Sequence, residues 1–277
     1  MDTNKAKTLF VLMVIALFLL SLDTCNKVLA ADSDSPEKPK IFKIVIDPGH
    51  GGKAPGAVGP NGEKEKDITL IVGKMLAKRL TEEGFEVLLT REDDVSLPLN
   101  ERTAFANTKK ADLFISIHVN ANEAKSTDGV ETYFLNLTTD ASSKKVAERE
   151  NAMSPESLQG LQLIIRDLML NAKINESSRF ATSIQSSIIS SLRKSGYVGK
   201  DHGVKQAPFY VLMGAQMPAI LIEIGFITNA ADCMLLHNDA HLENIIDGIT
   251  SGIKAYTENT TYVYNNGMNK EMNKEKN

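Results

Sequence analysis

Apolar residues fall into two kinds of stretch along this chain. Near the N-terminus, Thr8 to Leu22 (TLFVLMVIALFLLSL) is an almost unbroken apolar run. From Ile41 onward, short β-branched runs alternate with longer segments of helical spacing. Ile41 to Ile46 (IFKIVI) predicts a first strand that ends at Asp47-Pro48-Gly49. A glycine-rich loop then runs to Gly62. Ile68, Ile71, Val72, Met75, Leu76 and Leu80 recur at helical spacing, which predicts a helix over Asp67 to Glu83 with Gly84 as its stop. Phe85 to Thr90 predicts a second strand, Ser96 to Lys110 a helix, and Asp112 to Val119 (DLFISIHV) a third strand. Val130 to Leu135 predicts a further strand. A helix is expected from Ser154-Pro155, carrying Leu158, Leu161, Ile165 and Leu168. Another carries Phe180, Ile184, Ile188 and Leu192 and stops at Gly196. Phe209 to Met213 and Ala219 to Ile224 read as two more strands, and a helix from Ala240 to Tyr256 closes the pattern.

Strands that alternate with helices predict an α/β layer fold built on a mostly parallel sheet. Sites in such sheets gather outside the carboxyl ends of the strands. Residues 1–31 read as a secretory signal peptide: Lys5 and Lys7 lead the apolar run, and Val28, Ala30 and Ala31 supply the small residues of a cleavage site. A retained membrane anchor is the alternative, but the run is short for a span of about 20 residues and Asp23 closes it. Residues 32–40 (DSDSPEKPK) read as a polar linker, 41–257 as one catalytic domain, and 258–277 as a disordered polar tail.

Composition narrows the classes of partner. The chain carries 31 basic and 35 acidic residues, and this mild acidity argues against a nucleic-acid binder. Trp is absent, which disfavours a carbohydrate module built on stacked aromatics. Cys25 follows Leu22, Asp23 and Thr24 rather than small apolar residues, which disfavours a lipid anchor. Once the leader is cut only Cys233 remains, so the exported fold holds without an internal disulfide.

Three positions stand out chemically. His50 follows the first strand within Asp47-Pro48-Gly49-His50-Gly51-Gly52, where flanking glycines permit an unusual turn that presents the imidazole to a ligand. A tight turn or an anion-binding loop would use the same residues. His118 ends an apolar strand, with Asn120 and Asn122 beyond it; a buried, hydrogen-bonded histidine is the plain alternative. Glu223 interrupts the apolar run Ala219-Ile220-Leu221-Ile222-Glu223-Ile224, and burying a carboxylate there is costly unless it is paired, metal-bound or protonated. Burial raises its pKa, which suits a general base acting on water beside a metal. Glu63 and Glu65 lie between the glycine-rich loop and the first helix; Glu65, at the helix start, is aimed back at the loop, whereas Glu63 reads as solvated. Two histidines and a carboxylate leave a fourth position open, the pattern of catalytic zinc sites. Nitrogen and oxygen donors without thiolate favour zinc over softer metals. His202 reads as a polar-loop residue, and His237 and His241 as surface residues.

The ordered stretches IVIDPGHGG (44–52), GAVGPNGEKEKDITL (56–70), LLTREDD (88–94), LNERTAFAN (99–107), ADLFISIHVNA (111–121), GVETYFL (129–135) and PAILIEIGFITN (218–229) resemble the zinc-dependent N-acetylmuramoyl-L-alanine amidases. The resemblance runs from Ile41 to Tyr256. It implies one zinc ion, with His50, Glu65 and His118 as its ligands and Glu223 as the catalytic carboxylate; Glu65 is chosen over Glu63 because it stands in the family's Glu-Lys-Asp sequence. It also implies a mixed six-stranded sheet with helices on both faces, and peptidoglycan as substrate. Export follows, to the periplasm by preference or outside the cell, with the membrane touched only through an uncleaved leader. A protein activator or wall-targeting partner is a further expectation, since no targeting module is visible. Some members of this family carry a helix that covers the zinc site until an activator removes it. The corresponding segment here, Asp140 to Ser178, is of moderate length and resembles the uncovered forms more; Glu150 or Glu156 would be the plug in a covered one. A zinc peptidase cutting inside the stem peptide, or an inactive wall-binding protein, are the competing readings.

Overall fold

The six residues of β1 (Lys43–Pro48) alternate, sending Ile44 and Ile46 into one apolar cluster and Val45 into another. The same division holds along the central strands, so the sheet is buried on both sides. The computed structural model describes residues 41–154, 156–161 and 173–275, with side chains described through residue 260. The expected leader and linker, and the Ile165 and Leu168 positions, lie outside the described residues.

Beyond β1 come α1 (Glu65–Glu82), β2 (Glu86–Leu89), α2 (Leu99–Thr108), β3 (Leu113–Asn120) and β4 (Val130–Leu135). They are followed by α3 (Ala141–Glu150), α4 (Ile174–Lys194), β5 (Asp201–Ala207), β6 (Ala219–Phe226), α5 (Ala230–Leu235) and α6 (Asp239–Glu275). Residues 156–161 are helical as well. The strands form one six-stranded sheet in the order β2-β1-β3-β6-β4-β5. Neighbours are parallel except β4 and β6, which are antiparallel. The expected mixed, mostly parallel α/β sheet is therefore what the chain forms.

One cluster joins α1, α4 and α6 to the sheet through Val72, Leu76, Ile184, Ile188, Ile245 and Ile249. The other joins Ala106 of α2 and Val146 and Ala147 of α3 to Phe114, Tyr133 and Leu221. β3 and β6 are buried along their whole length, as central strands covered on both faces must be.

Five local expectations are corrected. Phe209 to Met213 is not a strand; Tyr210–Leu212 is a 3-10 turn with Val211 and Leu212 buried. A short apolar run satisfies either reading, because periodicity does not separate them at that length. Residues around His202 form the edge strand β5 rather than a loop, half-exposed and so without an apolar run. The helices α3 and α5 arise where none was expected, each opened by a capping side chain: Asp140 accepts from the Ser143 amide, and Asn229 from those of Ala231 and Asp232. His241 is buried against Tyr197 rather than on the surface. The tail expected to be disordered from Glu258 continues α6 to Glu275, because no Pro stops the helix there.

Candidate metal centre

The end of β1 is held by buried hydrogen bonds. The Asp47 carboxylate accepts from Arg102 at 2.8 Å, Thr90 at 2.6 Å and Ser116 at 2.8 Å. Two arginines then grip the carbonyls that follow. Arg91 donates to the carbonyls of Pro48, Gly49 and Lys66, and Arg102 to those of Pro48 and His50. This grip holds His50 in the left-handed region at φ 60°, a conformation uncommon for a residue with a Cβ. The turn throws the imidazole back toward the end of β3.

Glu65 is the first residue of α1 and fully buried. Its carboxylate accepts from the amides of Val119 at 2.9 Å and Ala57 at 2.8 Å, which fixes both oxygens. Its oxygens lie 3.0 Å from His118 Nδ1 and 3.1 Å from His50 Nε2. Two glycines make room. A Cβ on Gly56 would fall 2.5 Å from Glu65 Oε2 and 2.6 Å from His50 Cδ2; one on Gly49 would fall 2.5 Å from the His118 ring. The structure thus brings His50, Glu65 and His118 to one point.

A fourth side chain joins them. Glu150, the last residue of α3, places Oε2 at 3.0 Å from His50 Nε2 and 2.8 Å from His118 Nδ1. The four candidate donor atoms all lie within 4.8 Å of one another. The expectation that this segment leaves the site uncovered is corrected: α3 covers it, and Glu150 rather than the exposed Glu156 fills it. The segment's length could not reveal this, because coverage depends on where α3 docks. The local signal, an Asp140 N-cap one helix length before Glu150, marks the helix but not where it docks.

Chemically, the cluster fits a cation. His50 Nε2 and Glu150 Oε2 are buried and in close contact, yet neither makes a hydrogen bond. Their lone pairs converge on each other, as donors around a metal do. Burial alone would lower the His118 pKa, but Glu150 and Glu65 pull it well above the ordinary imidazole value. Burial and Glu150 push the Glu65 carboxyl up, while His50 and His118 bring it down to about 2. The pocket is short of positive charge and is built from imidazole and carboxylate, the donor set that suits zinc.

Glu223 stands next to this cluster and outside it. It pairs in register with His118 across β3 and β6 and with Glu131 across β4. Its carboxyl is fully buried, both oxygens lack hydrogen bonds, and burial with the nearby Glu150 charge raises its pKa well above the usual carboxylate range. The Arg149 guanidinium lies 3.6 Å away. Arg149 also donates to Glu150 at 2.8 Å, to the Ala121 carbonyl at 2.8 Å and to Asn120 Oδ1 at 2.9 Å.

The other residues singled out lie elsewhere. Glu63 accepts from Asn61 in its own loop, which lowers its pKa to about 2. His202 contacts the Asp128 carbonyl at 2.8 Å and packs on Phe226. His237 is exposed, with Nδ1 2.8 Å from the Cys233 carbonyl.

A family model described as N-acetylmuramoyl-L-alanine amidase matches residues 44–255. The chain is 39% identical over 213 residues to the uncharacterized protein YqiI of Bacillus subtilis, covering 77% of this chain and 84% of that one. It is 32% identical over 261 residues to the N-acetylmuramoyl-L-alanine amidase AmiA of Escherichia coli K12, covering 86% and 87%. The crystal structure of an N-acetylmuramoyl-L-alanine amidase from Clostridium difficile superposes with a TM-score of 0.61 at 28% identity, covering 79% of this chain and 97% of that one.

Proposed function

Because the chain belongs to the N-acetylmuramoyl-L-alanine amidase family, we propose that it works through one zinc ion held by His50, Glu65 and His118, with Glu223 as its catalytic carboxylate. The reaction is hydrolysis of the amide joining the lactyl group of N-acetylmuramic acid to L-alanine in peptidoglycan. The observation that carries the zinc assignment is the convergence of buried, unsatisfied imidazole and carboxylate donors on one point. A zinc ion bound there supplies Lewis acidity and lowers the pKa of water. Glu223 accepts the proton of the attacking water, and burial, which raises its pKa, suits it to hold that proton and pass it on. The C–N bond then breaks; the acyl carbon keeps the new oxygen as a lactyl carboxylate, and the L-alanine nitrogen receives the proton from Glu223.

A second reading concerns control. Glu150 fills the position through which water and substrate would reach the ligands. The covered form is inactive in this reading, and activity requires α3 to leave. A protein activator or contact with the wall would displace it. The substrate lies outside the cytoplasm, so residues 1–31 act as a signal peptide, 32–40 as a linker and 41–257 as the catalytic domain. The periplasm is the preferred destination and release from the cell the alternative.

The test uses purified protein, a zinc assay and dye-labelled peptidoglycan, run with Glu150→Ala beside the parent. Stoichiometric zinc and release of intact stem peptides with new N-terminal L-alanine are expected. Fragments cut inside the stem peptide would instead identify a peptidase. Zinc-loaded Glu150→Ala that releases nothing would refute the hydrolase assignment.

A further inference from the structure

The Arg149 guanidinium is met by acceptors from the β3 end and from β6. Around its guanidinium lie Asn120 Oδ1, the Ala121 carbonyl and, at 3.6 Å, the Glu223 carboxylate. The orientation of Asn120 is not free. Its Nδ2 donates to Glu131, and Glu131 is itself held by Lys205 at 2.6 Å and by the Tyr133 hydroxyl at 2.8 Å. With its donor side committed, Asn120 must present Oδ1 to the pocket. Asn120, Glu131 and Glu223 are all buried. Removal of α3 would turn the Ala121 carbonyl and the second lone pair of Asn120 Oδ1, whose first accepts from the Ala121 amide at 2.7 Å, toward the cleft, where another donor can take the place of Arg149. Three buried residues, Asn120, Glu131 and Glu223, thus fix the edge of the cleft at which the Asn120 Oδ1 and Ala121 carbonyl acceptors are presented.

From this geometry we propose that the pocket now filled by Arg149 receives backbone N–H donors of the stem peptide, on the leaving-group side of the scissile bond, and that Asn120 is a substrate-binding residue. The inference rests on the amidase reading above. The side is set by Glu223: the group that delivers the proton to the leaving amine borders the pocket, so what lies beyond it is peptide rather than glycan. Arg149 and Glu150 are adjacent and joined through Arg149 Nε. In the covered form they occupy together the place of the peptide donors and of the reacting carbonyl, so α3 competes with the substrate itself.

The experiment is carried out in an Arg149→Ala/Glu150→Ala background, where the covering contact is gone. Two substrates are compared: an N-acetylmuramoyl tetrapeptide, and N-acetylmuramoyl-L-alanine methyl ester, which has no peptide N–H beyond the scissile amide and no added charge. Asn120→Ala is expected to lower kcat/KM for the tetrapeptide about three- to tenfold, mainly through KM, and to leave the ester unchanged. Zinc content and melting midpoint are read on the same samples. Glu131→Gln preserves shape but frees the Asn120 amide to turn. It should lower the tetrapeptide value about threefold and add nothing to Asn120→Ala. An equal fall on both substrates, or no fall on either, overturns the subsite while leaving the amidase assignment standing. A zinc-loaded background variant that cleaves neither substrate overturns both.

Discussion

Replacing Glu150 by Gln keeps the shape of the plug and removes its charge. In the covered form that carboxylate meets two imidazoles, at 3.0 and 2.8 Å, and accepts from Arg149 at 2.8 Å. Hydrogen bonds to charged groups contribute about 1.5–3 kcal/mol each when one partner is removed. Losing a single such contribution raises the open fraction roughly tenfold to a hundredfold, as long as the covered form dominates beforehand. Within the covered form the rest of α3 keeps its packing, with Val146 and Ala147 buried and the Asn151 side chain bonded to the Pro208 carbonyl and the Tyr210 amide. The variant should therefore fold, keep its zinc, and release dye from labelled peptidoglycan about ten to a hundred times faster than the parent without any activator. Zinc content separates this outcome from a different role for Glu150. If Glu150 were a ligand needed for catalysis, Glu150→Gln would lower zinc occupancy and activity together. Unchanged or lower activity at full zinc occupancy would refute the covering role.

Four further variants test the same geometry. Glu223→Gln should lower turnover by about two to four orders of magnitude while retaining zinc, whereas His118→Ala should lose zinc and turnover together; metal analysis beside a dye-release assay tests both. Gly49→Ala should cost zinc binding, since its Cβ would fall 2.5 Å from the His118 ring, and a competition titration with a chelator reads the loss directly. Asp140→Ala removes the N-cap of α3, where the Ser143 amide donates at 2.7 Å. A lost cap costs about 1 kcal/mol, so activator-free activity should rise roughly fivefold in the parent and not at all in the Glu150→Ala background.

Residues whose burial creates a chemical anomaly are legible in the sequence. Glu223 was conspicuous because a carboxylate inside an apolar strand must be explained, and the structure leaves both its oxygens without a hydrogen bond. His50 was marked by the glycines around it, which the turn at φ 60°, 125° and 57° through residues 50–52 requires. His118 and Glu65 were readable as residues at a strand end and a helix start, positions that an α/β sheet brings together at one edge. Resemblance to the family, rather than spacing, chose Glu65 over Glu63. Glu150 was harder. It lies in a polar helix with little apolar periodicity, and its role comes from where that helix docks. The two arginines that hold the His50 turn were hidden for a related reason: Arg91 and Arg102 act on backbone carbonyls, which have no signature in sequence.

The chain's own sequence determined the strands and most of the helices, the mostly parallel sheet, and the residue types gathered at its carboxyl edge. Those features depend on local periodicity and on the cost of burying charge, and both are written residue by residue. Only the tertiary structure decided that α3 lies across that edge, that Glu150 completes the cluster, and that Arg149 fills the acceptors around Asn120. These are contacts between segments distant in sequence, fixed by how one face of a helix meets one end of a sheet, and no local pattern carries that information.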